Sequence, residues 1–185
     1  MSLQSKMRAG LALGLATAMV LTSTEAMAAT QGSLGATSTG TVTINASVPN
    51  RARITGLTDV AFTNQDPNTA ASNAQNVCVW SNTATKAYTV TASGSGTASA
   101  FTLSNGTTTV PYSVAWASTS GQTSGTALTT GAASASLTSA ATQQTCASGP
   151  TASASLIVGI STTDLGGMSA GSTYTGTLTL LITPQ

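Results

Sequence analysis

The stretch Val77-Cys-Val-Trp-Ser-Asn-Thr-Ala-Thr-Lys-Ala-Tyr-Thr-Val-Thr-Ala92 decides the fold class. In its second half Tyr88, Val90 and Ala92 alternate with Ala87, Thr89 and Thr91, the period of two that puts one row of side chains on each face of a β-strand. Val77 to Ser81 reads as another strand, joined to it by the polar Asn82-Thr-Ala-Thr85. Gly94-Ser-Gly96 closes the unit.

Working outward, the same grammar recurs: a short strand, a small polar turn, another short strand. Arg51 to Phe62, interrupted at Gly56, is a strand-like segment, and Thr63 to Asn76 reads as a polar loop. Phe101 to Leu103, Val110 to Ala117, Ala135 to Leu137, Ala154 to Ile160 and Thr173 to Thr183 are further strands. Gly121 to Thr145 is low in complexity and fits either a loop or an edge strand. No window carries a capped helical stripe. Short strands at this spacing predict an all-β, antiparallel sandwich or barrel.

The N-terminus addresses the chain for export. Lys6 and Arg8 precede an apolar run from Ala9 to Leu21, and Ala26-Met-Ala28 is the small-x-small pattern of a cleavage site. Residues 1–28 are therefore read as a signal peptide, leaving about 157 residues, the size of one domain. The remaining charges are Arg51, Arg53 and Lys86 against Asp59, Asp66 and Asp164, a balance of zero. Such a surface offers nothing to attract nucleic acid or an anionic membrane. It also lacks the net charge that keeps free monomers apart in solution.

Cys78 and Cys146 are the only cysteines, and an even count in an exported chain predicts one disulfide. It would close a loop of about seventy residues, worth roughly 4 kcal/mol by chain entropy. The chain has no histidine, which removes most nucleophile–base pairs and the usual zinc sites. Asn64, Asp66 and Asn68 are read as an Asx-rich turn in preference to a Ca²⁺ site. Trp80, Trp116, Phe62, Phe101 and Tyr112 are read as core in preference to a sugar-stacking face. No enzyme, cofactor or metal is expected.

Gly40-Thr-Val-Thr-Ile-Asn-Ala-Ser-Val48 alternates with particular regularity: Val42, Ile44, Ala46 and Val48 share one face, and Pro49-Asn50 ends the run. Together with Ile54-Thr-Gly-Leu-Thr-Asp-Val-Ala-Phe62 and the C-terminal Ala170-Gly-Ser-Thr-Tyr-Thr-Gly-Thr-Leu-Thr-Leu-Leu-Ile-Thr183, it resembles the subunits of chaperone–usher pili. The archaic class, which includes spore-coat-protein-U-like domains, and the alternate class are both similar. The cysteines lie at 78 and 146, not near Arg51 to Arg53 as in many archaic subunits, so the subclass stays open.

The resemblance implies an incomplete immunoglobulin-like antiparallel β-sandwich completed by a donated N-terminal strand. Residues 29–49 would be leader and donor strand, and residues 50–185 the pilin domain. Val42, Ile44, Ala46 and Val48 would be the donor residues, and Tyr174, Leu178, Leu180 and Ile182 would belong to the C-terminal edge strand. The implied partners are other pilin subunits, a periplasmic chaperone and an outer-membrane usher. The implied location is an extracellular fibre supporting adhesion or biofilm formation. The alternative is a secreted monomeric sandwich that binds carbohydrate or serves as a coat protein.

Overall fold

A computed structural model describes residues 28–185. The signal peptide assigned to residues 1–28 lies, but for its last residue, outside them. The chain divides into two units, residues 1–47 and 48–185.

The second unit is an all-β, antiparallel sandwich. One sheet has the order β1 (Ala52–Thr55), β2 (Ala71–Ser81), β9 (Ala154–Ile160), β6 (Ser113–Ala117), β7 (Thr126–Ala127). The other has the order β10 (Leu178–Pro184), β3 (Ala87–Gly94), β8 (Leu137–Thr138). A two-stranded ribbon, β4 (Thr102–Ser104) with β5 (Thr109–Pro111), completes the strands. The expected alternation sets the core. Tyr88, Val90 and Ala92 of β3 are sealed from solvent and share one apolar cluster with Val77, Val79, Val114, Trp116, Leu156 and Val158 of the facing sheet. Each large apolar side chain so buried contributes about 1.5–3 kcal/mol. β9, central in its sheet, is buried on both faces over Ala154–Val158, which fits the adjacent apolar residues Leu156, Ile157 and Val158.

Several boundaries differ from the sequence reading. Residues 71–76, read as the end of a polar loop, are the first half of β2 and pair with β9 from Ala71↔Ile160 to Asn76↔Ser155. An apolar partner strand overrides their polar composition, because strand formation follows context more than residue type. Their polar side chains instead tether loops: the Gln75 amide accepts from the Thr58 N–H at 2.8 Å, and Asn76 accepts from Gly121 N–H at 2.6 Å. The strand expected over Arg51 to Phe62 is confined to Ala52–Thr55, stopped by Gly56 at φ +82°. Val110 to Ala117 splits at Tyr112, whose N–H donates to the Phe101 carbonyl, because β5 pairs with β4 and β6 with β9. The C-terminal strand begins at Leu178, not at Thr173.

Among the described residues there is one α-helical turn, α1 (Thr162–Gly166), which was not visible as a stripe because it is only five residues long. Ser161 caps it by accepting from the Asp164 N–H at 3.1 Å, and Leu165 plugs into the core.

The disulfide forms between Cys78 and Cys146, with Cα atoms 6.3 Å apart. Cys78 lies on the outer face of β2 and packs with Ala141, Cys146 and the half-buried Trp80. The bond therefore straps the 139–153 segment over that face. Serine hydroxyls reinforce the strap: Ser139 and Ser153 both donate to the Val79 carbonyl, and Ser153 accepts from the Val79 N–H at 2.9 Å.

Candidate functional site

β10 is an end strand. It pairs with β3 along its whole length, in the register Leu178↔Gly94, Leu180↔Ala92, Ile182↔Val90 and Pro184↔Tyr88, and no strand pairs with its other edge among the described residues. Its sequence alternates, so Leu178, Leu180 and Ile182 share the core-facing side while Thr179, Leu181 and Thr183 face outward. The core-facing row is only half covered. Tyr88, Val90 and Ala92 on the neighbouring strand are fully buried, but their ladder partners Leu180, Ile182 and Pro184 are not. Leu181, on the other face, is among the exposed large apolar side chains.

β1 is also an end strand, paired among the described residues only with β2, and it comes close to β10. Ile54 of β1 is half-buried against the same core as Leu178, Leu180 and Ile182. Two unpaired edges with partly covered apolar side chains thus border one side of the sandwich. A free edge of this kind presents unpaired backbone N–H and C=O groups and is a template for an added strand.

Tyr174, expected in the edge strand, lies ahead of β10 and serves as its anchor. Its ring is buried, and its hydroxyl meets the Thr108 hydroxyl at 2.9 Å and accepts from the Ser169 N–H at 3.1 Å. The Ser169 N–H, with the Thr108 hydroxyl, stabilises the phenolate and lowers the Tyr174 pKa. Gly171 opens the turn at φ +76°, a conformation that costs glycine nothing. Gly171-Ser-Thr-Tyr174 thus forms a turn and its anchor, ahead of the strand itself.

Of the other predicted residues, Val42, Ile44 and Ala46 lie in the first unit and Val48 begins the second. The backbones of Thr30 and Thr41 exchange two hydrogen bonds, at 3.0 and 2.9 Å, and close a small loop. Residues 42–48 form no strand. Val42, Ile44 and Val48 are 74, 87 and 78 % exposed, and Ala46 is exposed as well. Apolar side chains of this size at such exposure are unsatisfied surface.

The remaining candidates resolve as structural residues. Asp66 accepts from the Asn68 N–H at 2.9 Å and from its side chain, an Asx turn. Trp116 and Tyr112 are buried, Phe62 and Phe101 pack partly against the core, and Trp80 covers the disulfide. Burial raises the pKa of both Tyr88 and Tyr112. A surface depression of about 330 Å³ between β6–β7 and β8 is lined by Trp116, Gln122, Leu128 and Leu137 with small hydroxyl residues, and no charged side chain. Among the described residues, no three His, Cys, Asp or Glu side chains gather as metal ligands. No described helix is long and apolar enough to cross a membrane.

One feature of the open side was not legible beforehand: Asn82 read only as a turn residue. In comparisons with known proteins, no family model and no curated sequence matches this chain.

Proposed function

We propose that this protein is the repeating structural subunit of a chaperone–usher-type surface fibre, an incomplete immunoglobulin-like sandwich completed by the N-terminal strand of a neighbouring copy. The observation that carries this reading is a complementarity within one sequence. A half-covered apolar row, Leu178, Leu180 and Ile182, borders an edge unpaired among the described residues, and an exposed row, Val42, Ile44, Ala46 and Val48, has no strand of its own. Both rows repeat every second residue, about 7 Å along an extended chain, so one can seat beside the other. Backbone pairing would supply affinity and the side chains register. Covering the four donor residues is worth on the order of several kcal/mol at about 25 cal/mol per Å².

In this reading residues 1–28 direct export, a periplasmic chaperone covers the open edge before assembly, and an outer-membrane usher exchanges it for the incoming donor strand. The fibre stands outside the cell and supports adhesion or biofilm formation. A carbohydrate-binding monomer would need an exposed aromatic platform, and the burial of Trp116 and Tyr112 weighs against it.

The test is an SDS gel of material sheared from the cell surface, run with and without boiling. A ladder of multimers that collapses only on heating is expected, because strand-exchanged contacts dissociate slowly in detergent. A single monomer band in both lanes would overturn the proposal.

A further inference from the structure

The root of the N-terminal arm is held by one residue of the sandwich. The Arg51 N–H donates to Asn82 Oδ1 at 2.6 Å, Asn82 Nδ2 donates to the Pro49 carbonyl at 2.9 Å, and the Asn82 N–H donates to the Arg51 carbonyl at 3.1 Å. The Pro49 carbonyl and the Arg51 N–H flank Asn50 and bond to the same side-chain amide. That is the arrangement of an extended chain, in which the carbonyl of one residue and the N–H two residues on point to one side. The Asn82 amide therefore continues the β1–β2 ladder one step past Ala52↔Ser81, standing in for a strand residue. Proline reinforces this, since it locks its own φ and restricts Val48 before it to extended conformations.

The consequence concerns where the arm can go. β1 follows the arm directly in sequence, and among the described residues no strand pairs with its outer edge. The shortest competitor to a donated strand is a hairpin in which residues 42–48 fold back on β1 of the same chain. Such pairing enjoys the high effective concentration of a tethered segment and would win unless geometry forbids it. It requires residues 49–51 to turn, as in a three-residue hairpin loop. While Asn82 holds both sides of Asn50, that turn is closed.

We infer that Asn82 is a positioning residue that keeps the arm root extended and so selects pairing with a second copy of this chain over pairing with itself. This rests on the fibre reading above.

The test compares wild type, Asn82→Ala and Asn50→Gly as full-length chains exported in the same cells. Asn82→Ala removes both side-chain bonds. Asn50→Gly leaves β2 untouched and creates Pro-Gly, a strong turn former. The expected result is a roughly fivefold rise in the monomer-to-ladder ratio on unboiled gels for Asn82→Ala, the population change of one net hydrogen bond, and a shift the same way for Asn50→Gly. In those monomers, amide hydrogens of residues 42–48 should be protected from exchange, as paired strand. An unchanged ladder in both variants, or extra monomer whose residues 42–48 exchange freely, overturns the role of Asn82. If Asn82→Ala does not accumulate, Asn50→Gly decides by the same two readouts. Absence of a ladder in the wild type would instead overturn the fibre reading.

Discussion

Ile182 stands directly across the antiparallel ladder from Val90, and the two share one core yet differ in cover: Val90 is fully buried, Ile182 only partly. β3 has neighbours on both sides and β10 has one. The core is thus sealed at β3 and only partly covered one strand later, at β10.

Charging either row should prevent assembly. Ile44→Asp would bring a carboxylate into an apolar site, and Ile182→Asp would place one in the site itself, each costing several kcal/mol unless the group is neutralised. Both variants should leave no heat-sensitive ladder and no fibres by electron microscopy. Ile44→Asp should still yield folded, chaperone-bound monomer, since Ile44 is exposed. Normal fibres from Ile44→Asp would remove the donor strand from the proposal.

Tyr88→Phe tests a side-chain bond that spans the core. Trp116 Nε1–H donates to the Tyr88 hydroxyl at 3.3 Å, and both residues are buried. Losing the acceptor leaves a buried donor unsatisfied, at a cost of about 1–3 kcal/mol. Thermal unfolding should show a melting temperature lower by a few degrees, at about 2–4 °C per kcal/mol for a domain of this size.

The strap should be worth more. Replacing Cys78 and Cys146 together by serine releases a sequence separation of 68 residues. Chain entropy predicts a loss of about 4 kcal/mol in chemical denaturation. Trp80 packs in the disulfide cluster, so its fluorescence should rise when the bond is opened. Unchanged stability would mean that the Ser139 and Ser153 bonds to Val79 hold the strap unaided.

The three tyrosines should ionise separately in the native protein and together near 10 in denaturant. Tyr174 is lowered by the Ser169 N–H and the Thr108 hydroxyl, whereas Tyr88 and Tyr112 are raised by burial. A raised folded pKa contributes stability that is complete below the unfolded value of 10.0 and is lost as pH climbs through the folded one. The lowered Tyr174 works the other way, adding stability as pH rises from its folded value to 10.0. Ultraviolet absorbance titration should show one early step, abolished in Tyr174→Phe, and two late steps accompanied by unfolding.

The alternation of Tyr88, Val90 and Ala92, the strand pattern of Ala154 to Ile160 and the single cysteine pair were enough to read an antiparallel sandwich or barrel and its disulfide, because a period of two is local to each strand and two cysteines allow one pairing. The alternating rows at Val42 to Val48 and Leu178 to Ile182 were legible for the same reason. What each row meets was not. The strand character of polar residues 71–76 comes from β9, more than seventy positions away, and the anchoring of Tyr174 from Thr108 on a different loop. Only the order of strands reveals that β10 has one neighbour, and only the meeting of β1 with the end of β2 turns Asn82 from a turn residue into the grip on Pro49 and Arg51. Periodicity records which side of a strand is apolar; the packing of distant segments decides whether anything covers it.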